Sequence, residues 1–213
     1  MLWQKAIGAA SGAVKQIDFI SQATAFFTGN SGNVTVTTPT HQTGDLFVAF
    51  YFSNSNNTNA AVPSGWTENL RDATATNTVR VFSKTATSSE PASVSFAVTT
   101  AATSRNSVAW LVYRGDNLSL QLGSLTRALS NTITAASISG ATQGKLLAAF
   151  MYEGISQAIS TPPSGMTQRS GQITAGAHQY IYDEDWSGGT TGDRTASYTG
   201  TTVDTAGIQV LIY

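Results

Sequence analysis

The sequence predicts an all-β fold, a tandem repeat of two antiparallel β-sandwich modules behind a short N-terminal arm. Three observations predict it. The first is an internal period of 100 residues: Gly44-Asp45-Leu46-Phe47-Val48-Ala49-Phe50 returns as Gly144-Lys145-Leu146-Leu147-Ala148-Ala149-Phe150, and Pro63-Ser64-Gly65-Trp66-Thr67 returns as Pro163-Ser164-Gly165-Met166-Thr167. The same offset aligns Val79-Arg80-Val81-Phe82 with Gln179-Tyr180-Ile181-Tyr182, and Val108–Tyr113 with Ile208–Tyr213. The second is a series of short alternating or apolar stretches with turn signals every ~8–12 residues, the pattern of antiparallel sandwiches. The third is composition. Charged residues make up 11% of the chain, under half of the ~25% usual in soluble domains. Thr, Ser, Asn and Gly take their place, and β-branched Thr suits exposed strand positions.

Residues 1–20 lie outside the period. Leu2, Trp3, Ala6, Ile7, Ala10, Ala13 and Val14 recur at i, i+3/i+4 spacing, an apolar helical stripe. Gly8 and Gly12 each weaken an isolated helix by about 1 kcal/mol relative to Ala, so the stripe needs a partner. It is read either as a docking arm or as an element capping the first module, with Leu2, Trp3, Ile7 and Val14 as the candidate assembly residues.

The first module spans 21–116. Val34-Thr35-Val36-Thr37 alternates as a half-buried strand. Leu46–Phe52 is continuously apolar, a central strand covered on both faces. Asn54–Thr58 is a polar loop tip, and Val62-Pro63-Ser64-Gly65 is a turn in which Pro presets φ and Gly admits φ > 0. Trp66 opens a strand, Val79–Phe82 forms the next, and Glu90-Pro91-Ala92 turns the chain again. Val94, Phe96 and Val98 then alternate with small residues, and Val108–Tyr113 is the second central strand. The second module, 117–213, repeats this order after the short junction Arg114-Gly115-Asp116-Asn117. Residues 34–113 and 134–213 are expected to superpose, with Phe50 equivalent to Phe150 and Trp110 to Val210. Leu46, Val48, Val81, Phe96, Val108, Trp110, Ile208 and Val210 are the expected core. Two sandwiches and one larger shared sandwich are both compatible with the pattern.

Composition also limits function. A net charge of −1 offers no field for nucleic acid or anionic lipid. With no cysteine, a thiol nucleophile, a zinc–thiolate site and a disulfide framework are excluded. No apolar run reaches the ~18–20 residues of a membrane span, and the first residues do not form a secretory signal. The expectation is a cytoplasmic translation product, without membrane insertion.

No motif carries catalysis. His41 and His178 are isolated from each other and from any ligand-spaced partner, so neither is assigned a catalytic or metal role. Asp183, Glu184, Asp185 and Asp193 form the one acidic cluster. Oxygen ligands on a Gly-rich loop suit Ca²⁺, but the spacing is not that of an EF-hand and a solvated strand end explains it. Arg114-Gly115-Asp116 spells an adhesion tripeptide at a strand end, where Gly and Asp are ordinary turn formers, and is given no adhesion role. Gly-x-Ser-x-Gly and phosphate-loop motifs do not occur. No catalytic residue, metal or cofactor is assigned. Among the aromatics, Trp66 and Trp110 fit core positions. Tyr180 and Tyr182 share one strand face and form the candidate exposed aromatic pair, as sugar-stacking platforms do; packing against the neighbouring module is the other reading.

The segments Gly-Asp-Leu-Phe-Val-Ala-Phe, Pro-Ser-Gly-Trp-Thr, Val-Arg-Val-Phe-Ser-Lys-Thr-Ala, Ser-Glu-Pro-Ala and Ala-Trp-Leu-Val-Tyr-Arg-Gly resemble a group of β-rich structural proteins of tailed bacteriophages, over residues 30–213. The opening Leu2-Trp3-Gln4-Lys5-Ala6-Ile7-Gly8 is similar to starts seen in that group. The resemblance implies a virion component of the tail, its fibres or the head surface, with other virion proteins as partners, homo-oligomeric assembly and no catalytic residues to transfer. Met166 departs from the pattern, where Trp is expected. The function expected is therefore a virion structural protein attached through its arm. The alternative is a carbohydrate-binding adhesin contacting a host surface glycan, and an enzyme acting on surface polysaccharide ranks last.

Overall fold

The computed structural model describes residues 15–154, 158–172 and 176–213. It is all-β and antiparallel, built from fourteen strands among the described residues. Two sheets form its centre. One contains β1 (Asp18–Thr37), β2 (Leu46–Ser53), β3 (Thr67–Ala73), β4 (Thr78–Thr85) and β5 (Ser93–Arg114), in the order β1-β5-β2-β4-β3. The other contains β6 (Leu120–Leu122), β7 (Thr126–Ser130), β9 (Gly144–Tyr152), β11 (Thr167–Gln172), β12 (His178–Trp186) and β14 (Val203–Ile212). Its order is β11-β12-β9-β14-β6, with β7 also paired to β14. A third, smaller sheet orders β10 (Ile159–Thr161), β13 (Arg194–Tyr198) and β8 (Thr132–Ala135) as β10-β13-β8.

The two central sheets pack face to face. Val48, Phe50, Phe52, Val81 and Leu111 from one meet Leu147, Ala149, Met151, Ile208 and Val210 from the other in a single buried cluster. Each sheet is covered again on its outer face, which explains why every residue of β2 and β9 is buried. In the first half the cover comes from the same two strands that form the sheet. β1 pairs with β5 over Asp18–Gly29, with a register shift between Phe19 and Ser21, and again over Ser31–Thr37, with a register break at Gly29/Ser31. At that break both strands fold over, the device by which strands switch layers at a corner. Val34, Val36, Phe96 and Val98 thereby land on Phe47, Tyr51 and Trp110. Gly29 lets the Phe27 ring lie over the corner, where a Cβ would sit within 2.7 Å of that ring and push it aside. In the second half the corner is cut into separate strands, and β8 and β13 supply the cover through Ile133, Ala135, Ala196 and Tyr198.

Expected core residues Leu46, Val48, Val81, Phe96, Val108, Trp110, Ile208 and Val210 are all buried. The expected equivalences are corrected by strand pairing. β3 and β11 do align at 100 residues: both bulge at the same point, between Glu68/Leu70 and Gln168/Ser170. The central strands do not. Phe50 lies opposite Val81 and Ala109, whereas Ala149 lies opposite Ile181 and Ile208. The match is therefore Phe50 with Ala149 and Trp110 with Gln209, an offset of 99. Phe150 faces its own outer layer, while Phe50 faces the other half. A single slip reverses every side chain in a strand, which is why the sequence match in the apolar run misassigned them.

The arm boundary moves as well. Ile17 is buried in the central cluster and β1 begins at Asp18, so Ile17 is part of the core and residues 18–20 belong to the first sheet. Residues 2–14, with Leu2, Trp3, Ile7 and Val14, lie outside the described residues. Among the described residues, polar side-chain contacts that tie the halves together include Tyr113 Oη donating to Asp183 at 3.0 Å, Gln179 Nε2 to Ser107 Oγ at 2.5 Å, and Arg127 Nε to Asp72 at 2.9 Å.

Candidate functional site: the groove where the halves join

The chain crosses from one half to the other at the end of the sheets where β2 and β9 begin and β4, β5, β12 and β14 end. The crossing is pinned by Asp45, immediately before β2. Its carboxylate accepts Arg114 Nε at 2.8 Å and Nη2 at 2.9 Å, a two-pronged pair, and the Gln42 N–H at 2.7 Å. Burial pushes the Asp45 carboxyl up, but Arg114 and the Gln42 N–H outweigh it and hold it below the usual carboxylate value. Asp45 in turn raises the exposed Arg114 guanidinium. The chain then turns through Gly115, where a Cβ would press on the Gln16 carbonyl and Leu118, and Asn117, which adopts φ +48°. Ser119 and Tyr213 exchange backbone hydrogen bonds at 2.8 and 3.0 Å. Lys15 Nζ donates to the Asn117 carbonyl at 3.2 Å, so the start of the described chain is fixed at this same junction.

Two concavities open here, of about 630 and 710 Å³. They share Leu46, Thr85, Leu118 and Ser119 and so form one continuous groove. Its lining is mostly neutral hydrogen-bonding groups, among them Gln42, Thr43, Asn69 and Asn117, with the half-exposed Tyr213 ring at one side. Lys84 on its wall pairs with Glu90 at 2.5 Å. Such a lining can hydrogen-bond a neutral polar ligand. The strand ends that build it also show why Arg114-Gly115-Asp116 is structural: Arg114 is committed to Asp45.

The sequence-derived candidates separate. Tyr180 and Tyr182 are buried, at 4% and 2% exposure, which corrects the expected exposed aromatic pair. They face the outer layer of their own half with Phe150, Tyr152 and Tyr198. Tyr152 stacks on Tyr198 at 4.5 Å and on His178 at 4.7 Å. His41 lies against Phe47 and uses Nδ1 on the Pro39 carbonyl at 2.8 Å.

The acidic cluster does not converge. Asp183 is buried and bonded to Arg169, Glu184 pairs with Arg194, Asp185 with Lys145, and Asp193 accepts the Ser137 N–H. Among the described residues no three His, Asp or Glu side chains group as metal ligands. Asn57, placed in a polar loop tip by the sequence, is buried. It bonds Tyr51 Oη, which donates to Asn106, and so plugs the corner of β1 and β5.

No protein-family model, curated protein or solved structure matches this chain.

Proposed function

We propose that this chain is a bacteriophage virion structural protein, a head-decoration or tail/fibre component held in the particle through residues preceding Lys15. The observation that carries this reading is the position of the chain entry. Lys15 is bonded at the junction end, and the apolar 2–14 segment connects directly to it. The loops at 54–58 and 74–77 follow the far ends of β2 and β3. Attachment at the entry would turn those Asn/Thr-rich loops outward. Rigid, polar, weakly charged β layers suit a part used in many copies, where assembly adds stability by mass action. A second reading, a carbohydrate-binding adhesin, is favoured by the mostly neutral, hydrogen-bonding groove with Tyr213 at its side, since hydrogen-bonding groups beside an aromatic face suit sugars.

The test is deletion of residues 2–14. The expected result is a soluble protein with an unchanged β circular-dichroism signal and melting temperature that no longer enters virions. Normal incorporation would reject attachment through this segment. Binding of soluble glycans by the full chain, abolished by Tyr213→Ala, would favour the adhesin.

A further inference from the structure

The two central sheets present four outer edges, and three are blunted. β3 carries Glu68, Arg71 and Asp72 and a bulge; β11 has six residues, Arg169 and a bulge; β6 and β7 are short, interrupted and carry Arg127. Charges, bulges and short length are the means by which proteins prevent edge strands from pairing with other chains. β1 is broken by a register shift between Phe19 and Ser21, but has none of them from Ser21 to Gly29. From Phe19 to Gly44 the sequence contains no Asp, Glu, Lys or Arg. Ser21–Gly29 pairs with β5 in unbroken register. Among the described residues β5 is the one strand paired to β1, leaving its other edge open. Gln22, Thr24, Phe26 and Thr28 are exposed, Phe26 at 38%.

We infer that this edge pairs with the β1 edge of a second copy of the chain, antiparallel across a two-fold axis centred near Thr24 and Ala25. Nine regular residues extend roughly 30 Å at ~3.4 Å each, and about half of their N–H and C=O groups point away from β5. A second β1 supplies a complementary row of the same length. Because the segment is neutral, antiparallel self-pairing sets no like charges opposite each other. A two-fold contact uses the same edge on both copies and closes, so it yields a dimer rather than a fibre. The two five-stranded sheets become one continuous sheet, and Phe26 of each copy gains cover beside Gln22 or Thr24 of its partner. This inference does not rest on the virion reading.

The experiment is sedimentation equilibrium on the full chain and on a Gln22→Lys/Thr24→Lys variant, both checked by circular dichroism. The expected result is twice the 22.3 kDa chain mass for the parent. Four lysines crowded on one face of the joined strands, as direct or diagonal neighbours, should raise the dimer Kd roughly tenfold or more. Because the chain has no cysteine, single Gln22→Cys, Thr24→Cys and Phe26→Cys variants can also be oxidised. Rapid disulfide dimerisation at one of these positions, and not in a Leu129→Cys control on β7, is expected. A parent that stays monomeric up to millimolar concentration overturns the inference. So does a dimer that the lysines leave intact, or one cross-linked at Leu129 instead.

Discussion

Tyr113 Oη donates to Asp183 Oδ2 at 3.0 Å, and both side chains are buried between the two central sheets. Asp183 spends its other oxygen on Arg169 Nε at 2.7 Å, and the Arg169 guanidinium lies 4.8 Å from the Phe19 ring centre. The positions correspond to Asn69 and Ser83 in the first half, which are hydrogen bonded at 2.8 Å. A neutral pair on one side is thus an ion pair on the other, and only the ion pair reaches across to the facing sheet. Charge buried in this way fixes how the sheets sit, because an unpaired carboxylate there is costly.

Replacing Tyr113 by Phe leaves Asp183 buried with one hydrogen bond fewer. The expected cost is about 1–3 kcal/mol, read as a lower urea midpoint with an unchanged slope. Ser83→Ala at the matching position of the other half should cost well under that.

Six tyrosines should make the fold sensitive to alkali. Burial raises Tyr113 well above its ordinary value, with Asp183 adding to it, and pushes Tyr51 and Tyr182 up to about 12. Burial raises Tyr152, Tyr180 and Tyr198 too. A folded pKa above the unfolded ~10 means the unfolded chain releases protons first. This contribution is complete below pH 10 and is lost as pH rises through the folded values. Absorbance at 295 nm should show these phenols ionising together with unfolding; ionisation near pH 10 in a still-folded protein would contradict it.

Trp110 packs edge-on against Phe47 at 4.9 Å and Trp66 at 5.0 Å, in the centre of the first half's outer cluster. Trp110→Ala should cost about 3–5 kcal/mol, measured by denaturant unfolding.

Burial of the central strands was legible in the sequence because a strand covered on both faces reads as a continuous apolar run, as in Leu46–Phe52. What covers each face was not legible. Alternation in Val34–Thr37 marks a half-buried strand but does not reveal that the same strand, folded over at Gly29, also belongs to the central sheet. Tyr180 and Tyr182 illustrate the same limit: their shared face was clear, and its cover by β13 was a tertiary fact. The junction groove was missed for a related reason. Its defining pair, Asp45 with Arg114, is 69 residues apart, and each residue alone reads as ordinary turn chemistry.

Gly207 shows where the halves diverge. By strand pairing it matches Val108, yet a Cβ on Gly207 would collide with the Thr134 backbone carbonyl. Thr126 Oγ1 lies at the same point, in contact with the carbonyls of both Thr134 and Gly207. Gly207→Ala should therefore destabilise by about 1–3 kcal/mol as an overpacked site, and Val108→Ala should destabilise as a cavity instead. Their melting curves should fall together, while the pressure dependence of unfolding should rise only for the cavity variant.

The last prediction concerns Glu153, which follows β9 and hydrogen-bonds Asp204. Burial, then the Asp204 charge and hydrogen bond, raise its carboxyl to about 7. The sign follows from linkage: a folded pKa above the unfolded value of 4.5 stabilises fully below pH 4.5 and fades as pH rises through 7. Because the site is partly open to solvent, screening reduces the effect. The group should contribute a drop in melting temperature between pH 5 and pH 8. Glu153→Gln keeps the hydrogen-bonding shape without a proton to lose, so it should flatten that drop and raise stability at pH 8 relative to the parent. The measurement is calorimetry at several pH values on both proteins; parallel curves would show that Glu153 and Asp204 do not share a proton.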